Sequence, residues 1–259
     1  MLDRIISSTK LRVERKKAFK LYSEIKAVAL LLNRSTGFPF EKALMKEDIS
    51  FICEIKKASP SKGIIADDFP YIDIAREYEM AGADAISVLT EPEFFLGRDE
   101  YLYEIHQEVS LPVLRKDFIV DSYQIYEAKV LGASAVLLIA ALLDTDTLHQ
   151  FIHLCHELGL SALVEAHNEM EIESALNAGA RIIGVNNRNL KDFTVDKNNS
   201  LKLRKLVPDT VLFVAESGIK SKEDIDALKQ ANVNGVLIGE ALMRSRNKCE
   251  ALKKLRGDV

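Results

Sequence analysis

Cysteine is scarce in this 259-residue sequence. Cys53, Cys155 and Cys249 lie far apart, are odd in number and form no Cys-x-x-Cys pair. Such spacing does not predict a disulfide framework, and the lack of paired cysteines argues against a structural zinc site. We therefore expect a protein of a reducing compartment, with the cytoplasm as its natural location.

Long apolar runs and an excess of basic residues are also missing. The longest apolar run, residues 135–143, is far too short to cross a bilayer, and the opening Met-Leu-Asp-Arg-Ile-Ile-Ser lacks the apolar core of a secretion signal. Lysine and arginine number 35 against 39 aspartate and glutamate residues, a formal net charge of -4. We therefore expect no membrane and no nucleic acid as partner, so any anion site must be local.

Short β-branched runs dominate the chain from residue 51 onward. Each leads into a polar turn and then into a longer segment with helical periodicity. The predicted strands are 51–55, 85–89, 112–114, 135–139, 161–164, 181–185, 211–214 and 236–238, and helix candidates between them include 71–81, 122–131, 146–158, 169–178 and 221–230. This alternation predicts an α/β fold with a parallel sheet.

Eight strand-helix units in a chain of this length predict a closed (β/α)8 TIM barrel, since such barrels typically take about 250 residues. A doubly wound open sheet is the alternative. For nucleotides it would carry a G-x-G-x-x-G turn after the first strand, which residues 56–63 do not supply. No linker or change of composition divides the chain, so we expect one domain over residues 1–259.

The chain begins with a segment of different character. Residues 2–32 contain no glycine or proline, and Leu21, Ile25, Val28 and Leu32 recur at helical spacing. This pattern predicts one or two leading helices. We therefore expect a helical extension over residues 1–48 and the barrel over residues 49–259.

The predicted strands end in polar residues, which matters because reactive groups in such barrels follow the strands at their C-terminal ends. Ionised side chains beside a core need partners or a ligand, and an anionic small molecule would suit them. A simpler interpretation is that Lys56, Lys57 and Lys62 only solvate a loop. The polar strand ends are Glu54 and Lys56, Arg115 to Asp117, Glu165, Asn186 to Arg188, Glu216 to Gly218, and Gly239 with Glu240.

Lys116 is the candidate general acid. Its ordinary pKa of about 10.4 would make it a slow donor near neutral pH unless burial or a second cation lowers that pKa, and Lys56 is the natural second cation. An ion pair of Lys116 with Asp117 or Glu54 is the structural alternative. Glu165 is the matching acid or base.

Two glycines follow the last two strands, where barrels of this kind commonly bind phosphate through backbone N–H groups. Gly218 and Gly239 would let an oxygen approach the main chain closely. An ordinary turn, with Ser221 capping the next helix, is the alternative for the first of them.

The histidines are weaker candidates for site residues. His149, His153 and His156 share one face of a predicted helix whose neighbouring face is apolar, so we expect them to face solvent and to bind no metal. His167 follows Glu165 and is expected to serve a loop or a helix cap, although it lies within reach of the site.

Several motifs resemble those of indole-3-glycerol phosphate synthases of tryptophan biosynthesis, in the same order and over nearly the whole chain. They are Cys-Glu-Ile-Lys-Lys-Ala-Ser-Pro-Ser-Lys-Gly (53–63), Ser-Val-Leu-Thr-Glu-Pro (87–92) with Phe-Leu-Gly (95–97), Leu-Arg-Lys-Asp-Phe (114–118), Leu-Leu-Ile-Ala (137–140), Leu-Val-Glu (163–165), Gly-Val-Asn-Asn-Arg-Asn-Leu (184–190), Ala-Glu-Ser-Gly (215–218) and Ile-Gly-Glu (238–240).

The resemblance implies ring closure of 1-(2-carboxyphenylamino)-1-deoxyribulose 5-phosphate to indole-3-glycerol phosphate, with loss of carbon dioxide and water. It implies no metal or organic cofactor. The family pattern makes Lys116 the acid at the substrate carbonyl and Glu165 the group for a later proton transfer, although which of Lys56 and Lys116 acts at which step stays open. The implied catalytic set is Glu54, Lys56, Lys116, Glu165, Asn186 and Ser217, and the substrate-binding set is Ser59, Phe95, Phe118, Arg188, Leu190, Gly218, Gly239 and Glu240.

Two other functions compete. Phosphoribosylanthranilate isomerase is a related phosphate-binding barrel, but it would be expected to use a cysteine and an aspartate at strand ends, and Cys53 is expected to point away from Glu54. A barrel that binds a phosphorylated metabolite without turnover is the non-enzymatic alternative, against which the joint presence of the acids and lysines speaks. We expect a monomer.

Overall fold

Eight parallel strands close into a barrel in a computed structural model that describes residues 1–189 and 193–258. Around the barrel the order is β1-β10-β9-β8-β7-β6-β5-β4, with β1 pairing to both β4 and β10. The predicted TIM barrel is confirmed and the open sheet is wrong. The barrel strands are β1 (Ser50–Ile55), β4 (Ala85–Leu89), β5 (Val113–Lys116), β6 (Ala135–Ile139), β7 (Ser161–Ala166), β8 (Ile182–Asn186), β9 (Leu212–Glu216) and β10 (Gly235–Ile238).

Every barrel strand is covered on both faces, which explains why the strands read as nearly continuous apolar runs. Along β1, Ile52 belongs to the apolar cluster inside the barrel, whereas Phe51, Cys53 and Ile55 belong to the cluster between strands and helices. Because side chains alternate along a strand, Glu54 shares the inward direction of Ile52. The strand thus aims its carboxylate into the barrel and its cysteine away.

Several helices begin where a short polar side chain caps them. Asp121, Asp144, Asn168 and Ser221 each accept a backbone N–H from the first turn of a helix, which satisfies donors that have no partner within the helix. The helices that follow the leading segment are α4 (Tyr71–Met80), α5 (Asp99–Glu108), α6 (Ser122–Val130), α7 (Thr145–Glu157), α8 (Glu169–Asn177), α9 (Asn198–Arg204), α10 (Lys222–Gln230), α11 (Glu240–Met243) and α12 (Lys248–Arg256), with a 3-10 turn at Ala140–Leu142.

Residues 2–32 form two helices, α1 (Leu2–Phe19) and α2 (Tyr22–Leu31), as predicted, and a third helix, α3 (Pro39–Leu44), follows them before the barrel. The predicted apolar stripe of α2 is only partly right. Ile25 is buried, together with Ala29, whereas Leu21 is 57% exposed. Helix α2 packs on α6, and its buried residues are Ile25 and Ala29 rather than the larger leucines. The division at residue 48 stays a prediction.

Ion pairs between charged side chains attach α1 to the barrel. Arg12 reaches Asp117 at 2.7 Å, and Lys16 pairs with Glu127 at 2.8 Å. Asp117 also accepts from Thr90 and lies 3.5 Å from the fully buried guanidinium of Arg115. Since each buried charge here has an opposite partner, removing any one of them would leave another uncompensated.

No helix in the described part of the chain combines the length and the apolar character needed to cross a membrane.

Candidate active site

The carboxyl ends of the eight strands surround a cavity of about 730 Å³. Side chains that follow different strands meet here because parallel strands all end at the same rim of the barrel. Leu190 lies outside the described residues. Every other residue predicted for the site lines the cavity: Glu54, Lys56, Ser59, Phe95, Lys116, Phe118, Glu165, Asn186, Arg188, Ser217, Gly218, Gly239 and Glu240.

Lys116, at the end of β5, lies at the centre of the charged part of the cavity. Its Nζ is 3.5 Å from Glu216, 3.6 Å from Glu165 and 4.0 Å from Glu54, and all three carboxylates are buried. Asp117, the other proposed partner, instead pairs with Arg12 on the far side of the strand. The alternative prediction, an ion pair of Lys116 with Asp117 or Glu54, is therefore wrong for Asp117. It is right for Glu54, which is one of three carboxylates close to Lys116.

The pKa of Lys116 is not lowered, so the condition named for fast proton donation near neutral pH is not met. Burial alone would lower this pKa, but the carboxylates of Glu216, Glu165 and Glu54 outweigh burial and raise it. The nearby cation, Lys56, is itself engaged by Glu54, so its charge is largely balanced. Lys116 therefore carries a firmly held ammonium at neutral pH.

Glu54 links the first strand to the last. Its carboxylate pairs with Lys56 and packs directly against Gly239, where any Cβ would overlap it. Burial would raise the pKa of Glu54, but the charges of Lys56 and Lys116 lower it overall, so Glu54 stays ionised. Glycine at position 239 is thus required by the carboxylate beside it.

Glu165 and Asn186 come from neighbouring strands and touch each other. The Asn186 amide donates to Glu165 Oε2 at 3.2 Å, while Asn186 Oδ1 accepts the backbone N–H of Arg188 at 3.0 Å. The Arg188 guanidinium donates to the carbonyl of Phe193 at 3.3 Å. Asn186 therefore orients both a carboxylate and the start of the loop that carries Arg188.

Glu216 is a residue that the sequence prediction left out of the site. It ends β9, is 1% exposed, and neither carboxylate oxygen has a hydrogen-bond partner among the described residues. Burial, reinforced by Glu165 and Glu54 and opposed by Lys116, raises the pKa of Glu216 to about 8. The alternation of side chains could have identified it, since Glu216 lies two residues after Val214, which faces the barrel interior.

The raised pKa of Glu216 predicts a pH-dependent stability. The folded protein keeps this proton up to about pH 8, whereas the unfolded chain releases it near the ordinary value of 4.5. Between these values the folded state binds more protons, so rising pH destabilises the wild type relative to Glu216→Gln, by at most about 1.4 kcal/mol per pH unit. Urea unfolding of both proteins at pH 5 and pH 8 should show that the unfolding free energy of Glu216→Gln, relative to that of the wild type, is larger at pH 8 than at pH 5. An equal difference between the two proteins at both pH values would contradict this prediction.

The turn after β9 has an unusual backbone. Ser217 and Gly218 are both left-handed, with φ of 67° and 80°, and the first of these is strained for a residue with a side chain. The Asn187 amide donates to the carbonyl of Ser217 at 3.0 Å and holds this turn in place. Ser221 also caps α10, so the turn serves both the helix and the cavity.

An apolar wall closes another side of the cavity. The rings of Phe95 and Phe118 lie 6.1 Å apart with an interplanar angle of 42°. The buried carboxylate of Glu91 accepts the backbone N–H groups of Phe94 and Phe95 at 2.7 and 3.0 Å and so fixes the loop that carries Phe95. Leu2 and Ile5 of α1 also line the cavity.

A small hairpin covers the rim beside β1. Its strands β2 (Ala58–Ser59) and β3 (Gly63–Ile64) are antiparallel, and Ser59 faces the cavity. At the tip, Lys62 Nζ lies 3.6 Å from the carboxylate of Glu240. The predicted solvating role fits Lys57, which does not line the cavity, but not Lys56.

The prediction that the three helix histidines face solvent is right for His149 and His153 and wrong for His156. His149 and His153 are exposed, while His156 is half-buried against the ring of Phe38. His167 combines both roles considered for it, since it contacts Glu171 in the first turn of α8 and also Glu165.

A closed parallel barrel whose rim gathers an ammonium group, three buried carboxylates and an aromatic wall defines a (β/α)8-barrel enzyme with its site at the carboxyl ends of the strands. The sequence model of the indole-3-glycerol phosphate synthase family matches residues 2–255. The chain belongs to this family, and the predicted resemblance is confirmed.

Individual relatives agree. The indole-3-glycerol phosphate synthase of Ruminiclostridium cellulolyticum is 59% identical over 259 residues and covers 100% of both chains. That of Endomicrobium trichonymphae is 59% identical over 256 residues, 99% of each chain. Among solved structures, 3-hexulose-6-phosphate synthase from Salmonella typhimurium matches with a TM-score of 0.66 at 14% identity, over 81% of this chain and 97% of that one, which shows the shared fold alone.

Proposed function

We propose that this protein is an indole-3-glycerol phosphate synthase, a carbon-carbon lyase that closes the indole ring of 1-(2-carboxyphenylamino)-1-deoxyribulose 5-phosphate. The observation that carries the proposal is the ammonium of Lys116 held within 4.0 Å of three buried carboxylates in the cavity. Family membership supplies the substrate, and the cavity supplies groups suited to each part of it.

The substrate has three chemically distinct parts. Its phosphate fits the strained turn at Ser217 and Gly218 and the main chain at Gly239 and Glu240, where little side-chain bulk separates a ligand from backbone N–H groups. Ser59 reaches the same ligand from the hairpin.

The aromatic ring fits the wall of Phe95 and Phe118, with Leu190 proposed from the resemblance alone. Arg188 and Lys56 are the cations proposed for the two anionic ends, the carboxylate that is lost and the phosphate that is kept.

Ring closure joins the aromatic carbon that bears the carboxylate to the substrate carbonyl carbon. The raised pKa of Lys116 still allows its ammonium to protonate the carbonyl oxygen as this bond forms, because the oxygen becomes an alkoxide, which is a stronger base than an amine. The carboxylate then leaves as carbon dioxide and its electron pair restores the aromatic ring. The product of this step carries a hydroxyl group at the former carbonyl carbon.

Dehydration completes the indole. The ammonium of Lys56, the second lysine that lines the cavity, gives a proton to the hydroxyl group, which leaves as water, and Glu165 takes a proton from the adjacent ring carbon so that the new double bond forms. Glu54 keeps Lys56 in place, Asn186 orients Glu165, and Ser217 shapes the phosphate turn. Because one carbon dioxide and one water leave without net oxidation or reduction, the balanced reaction calls for no redox cofactor, and we propose that no metal or organic cofactor takes part.

An isomerase of the same barrel class fits the geometry less well. It would need a cysteine at the rim, but Cys53 lies between the strand and the helices, fully buried, where burial raises the pKa of its thiol to about 12. A thiol so placed can neither reach the cavity nor ionise near neutral pH.

A direct assay tests the proposal. Purified protein given the anthranilate-derived substrate should produce indole absorbance and release carbon dioxide in equal amounts. Tight binding of the substrate without any indole signal would instead identify a non-catalytic barrel, and an isomerised product that keeps its carboxylate would identify the isomerase.

We further propose that the protein works as a monomer in the cytoplasm, as one domain in which residues 1–48 form an extension that covers the substrate end of a barrel formed by residues 49–259. The support for the extension is the contact of Leu2 and Ile5 with the cavity.

A further inference from the structure

His167 lies between two carboxylates. Its Nδ1 is 2.9 Å from Glu171 Oε2 and its Nε2 is 3.4 Å from Glu165 Oε1. The ring is mostly buried, with 14% of its side chain exposed. The buried Nε2 has no aligned hydrogen-bond partner among the described residues, so its close contact with Glu165 is not a hydrogen bond in this structure.

The Glu171 side decides which nitrogen carries the proton. Glu171 Oε2 also accepts the backbone N–H of His167 at 2.8 Å, and Glu171 Oε1 accepts from the Asn168 amide at 2.6 Å. Burial would raise the pKa of Glu171, but these bonds lower it overall, so the group is an ionised acceptor. Nδ1 must therefore be the donor, which leaves Nε2 as the variable position.

With Nδ1 protonated, a proton between Nε2 and Glu165 can be held by either atom. We propose that His167 is a positioning residue that holds Glu165 in its working orientation and shares one proton with it. This inference rests on the proposed function of Glu165. When Glu165 has taken the substrate proton, its O–H bond breaks as an N–H bond forms at Nε2, and the carboxylate is restored without any other reactant.

The charges around His167 support this sharing. Burial would lower the pKa of the imidazole, but Glu171 on α8, Glu165 on β7 and Glu216 on β9 outweigh burial and raise it. The nearest cation on the cavity side, Lys116, lies 3.6 Å from Glu165 Oε2, the oxygen that does not face the ring. The two oxygens of Glu165 therefore meet different partners. The Asn199 amide, from α9, donates to the carbonyl of His167 at 3.1 Å and fixes the backbone.

An NMR titration of the histidines tests the proposal without any substrate. Removing the negative charge in Glu165→Gln should lower the titration midpoint of His167 by about one pH unit, because an opposite charge at this distance favours the imidazolium. His153, whose side chain is 66% exposed, is the internal reference and should not shift. If the midpoint of His167 is the same in both proteins, the ring does not share a proton with Glu165 and the proposal is overturned.

Enzyme kinetics distinguish a positioning role of His167 from a purely structural role. His167→Asn keeps a group that can bond to Glu171 but has nothing that reaches Glu165. Its kcat should fall about 10- to 100-fold with KM nearly unchanged, and the pH profile of kcat should change shape. His167→Gln, which can reach Glu165, should recover part of the loss, and His153→Asn should match the wild type.

Two results would overturn the inference: a His167→Asn profile that superimposes on the wild type, or a loss that is uniform with pH and accompanied by a large rise in KM. Should His167→Asn fail to fold, the titration of Glu165→Gln still decides. Failure of the proposed function would show differently, as a wild-type protein that makes no indole although His167 titrates as expected.

Discussion

Replacing Lys116 with methionine should reduce kcat by about 10² to 10⁴, the contribution typical of a positioned acid. Methionine fills a similar volume but removes the ammonium that lies 3.5 Å from Glu216 and 3.6 Å from Glu165, and it leaves nothing at this position to protonate the substrate carbonyl. Indole formation followed by absorbance under saturating substrate measures the effect.

The matched control is Lys57→Met, which removes an ammonium one residue beyond Lys56 at a position outside the cavity. Its kcat should stay within twofold of the wild type. Binding of a phosphorylated product analogue should survive in Lys116→Met, because the phosphate turn is on β9 and β10. Near-normal turnover of Lys116→Met would refute its role as the acid.

Glu165→Gln should produce a second loss of about 10² to 10⁴ in kcat, since a general base typically contributes this much. The amide keeps the shape of the side chain and can still accept from Asn186, so the cavity should retain its form. It cannot take a proton, and dehydration should become the slow step. Rapid quenching should then reveal a decarboxylated but still hydroxylated intermediate, which the wild type does not accumulate.

Glu173→Gln is the control for this change, because Glu173 is exposed on α8 and lies away from the cavity. It should leave kcat unchanged. Full activity of Glu165→Gln would show that another group is the base, with Glu54 and Glu216 as the remaining buried carboxylates beside Lys116.

The strands were predictable because a barrel strand is buried on both faces and its apolar run has clear polar limits. The run at 135–139 matches β6 at both ends, and the one at 85–89 matches β4. The helices within residues 2–32 were also predictable, whereas α3 was not, because it is only six residues long and begins after Phe38 in a left-handed conformation. The apolar spacing of α2 predicted its buried residues only in part. A helix that touches one neighbour buries a narrow face, and sequence spacing alone does not show which face meets the neighbour.

The site was predictable in its members and less so in its electrostatics. Glu54, Lys116 and Glu165 lie within the last two residues of β1, β5 and β7, so the topology alone brings them together. The sign of the Lys116 pKa shift was not predictable, because it depends on how many carboxylates lie within about 4 Å of one atom. Glu216 was missed because its neighbours Ser217 and Gly218 drew attention as a phosphate turn.

The links that complete the rim join parts of the chain that are far apart in the order of synthesis. Arg12 and Asp117 are separated by 105 residues. The strand that carries Glu54 pairs with β10, the last strand of the barrel, through Cys53 and Ile238. A nascent chain therefore exposes α1 and the first strand long before their partners leave the ribosome. Contacts of such separation close slowly, so we expect the rim to be among the last parts of the barrel to form, and a chain that ends before β10 lacks the pairing of β1 with β10.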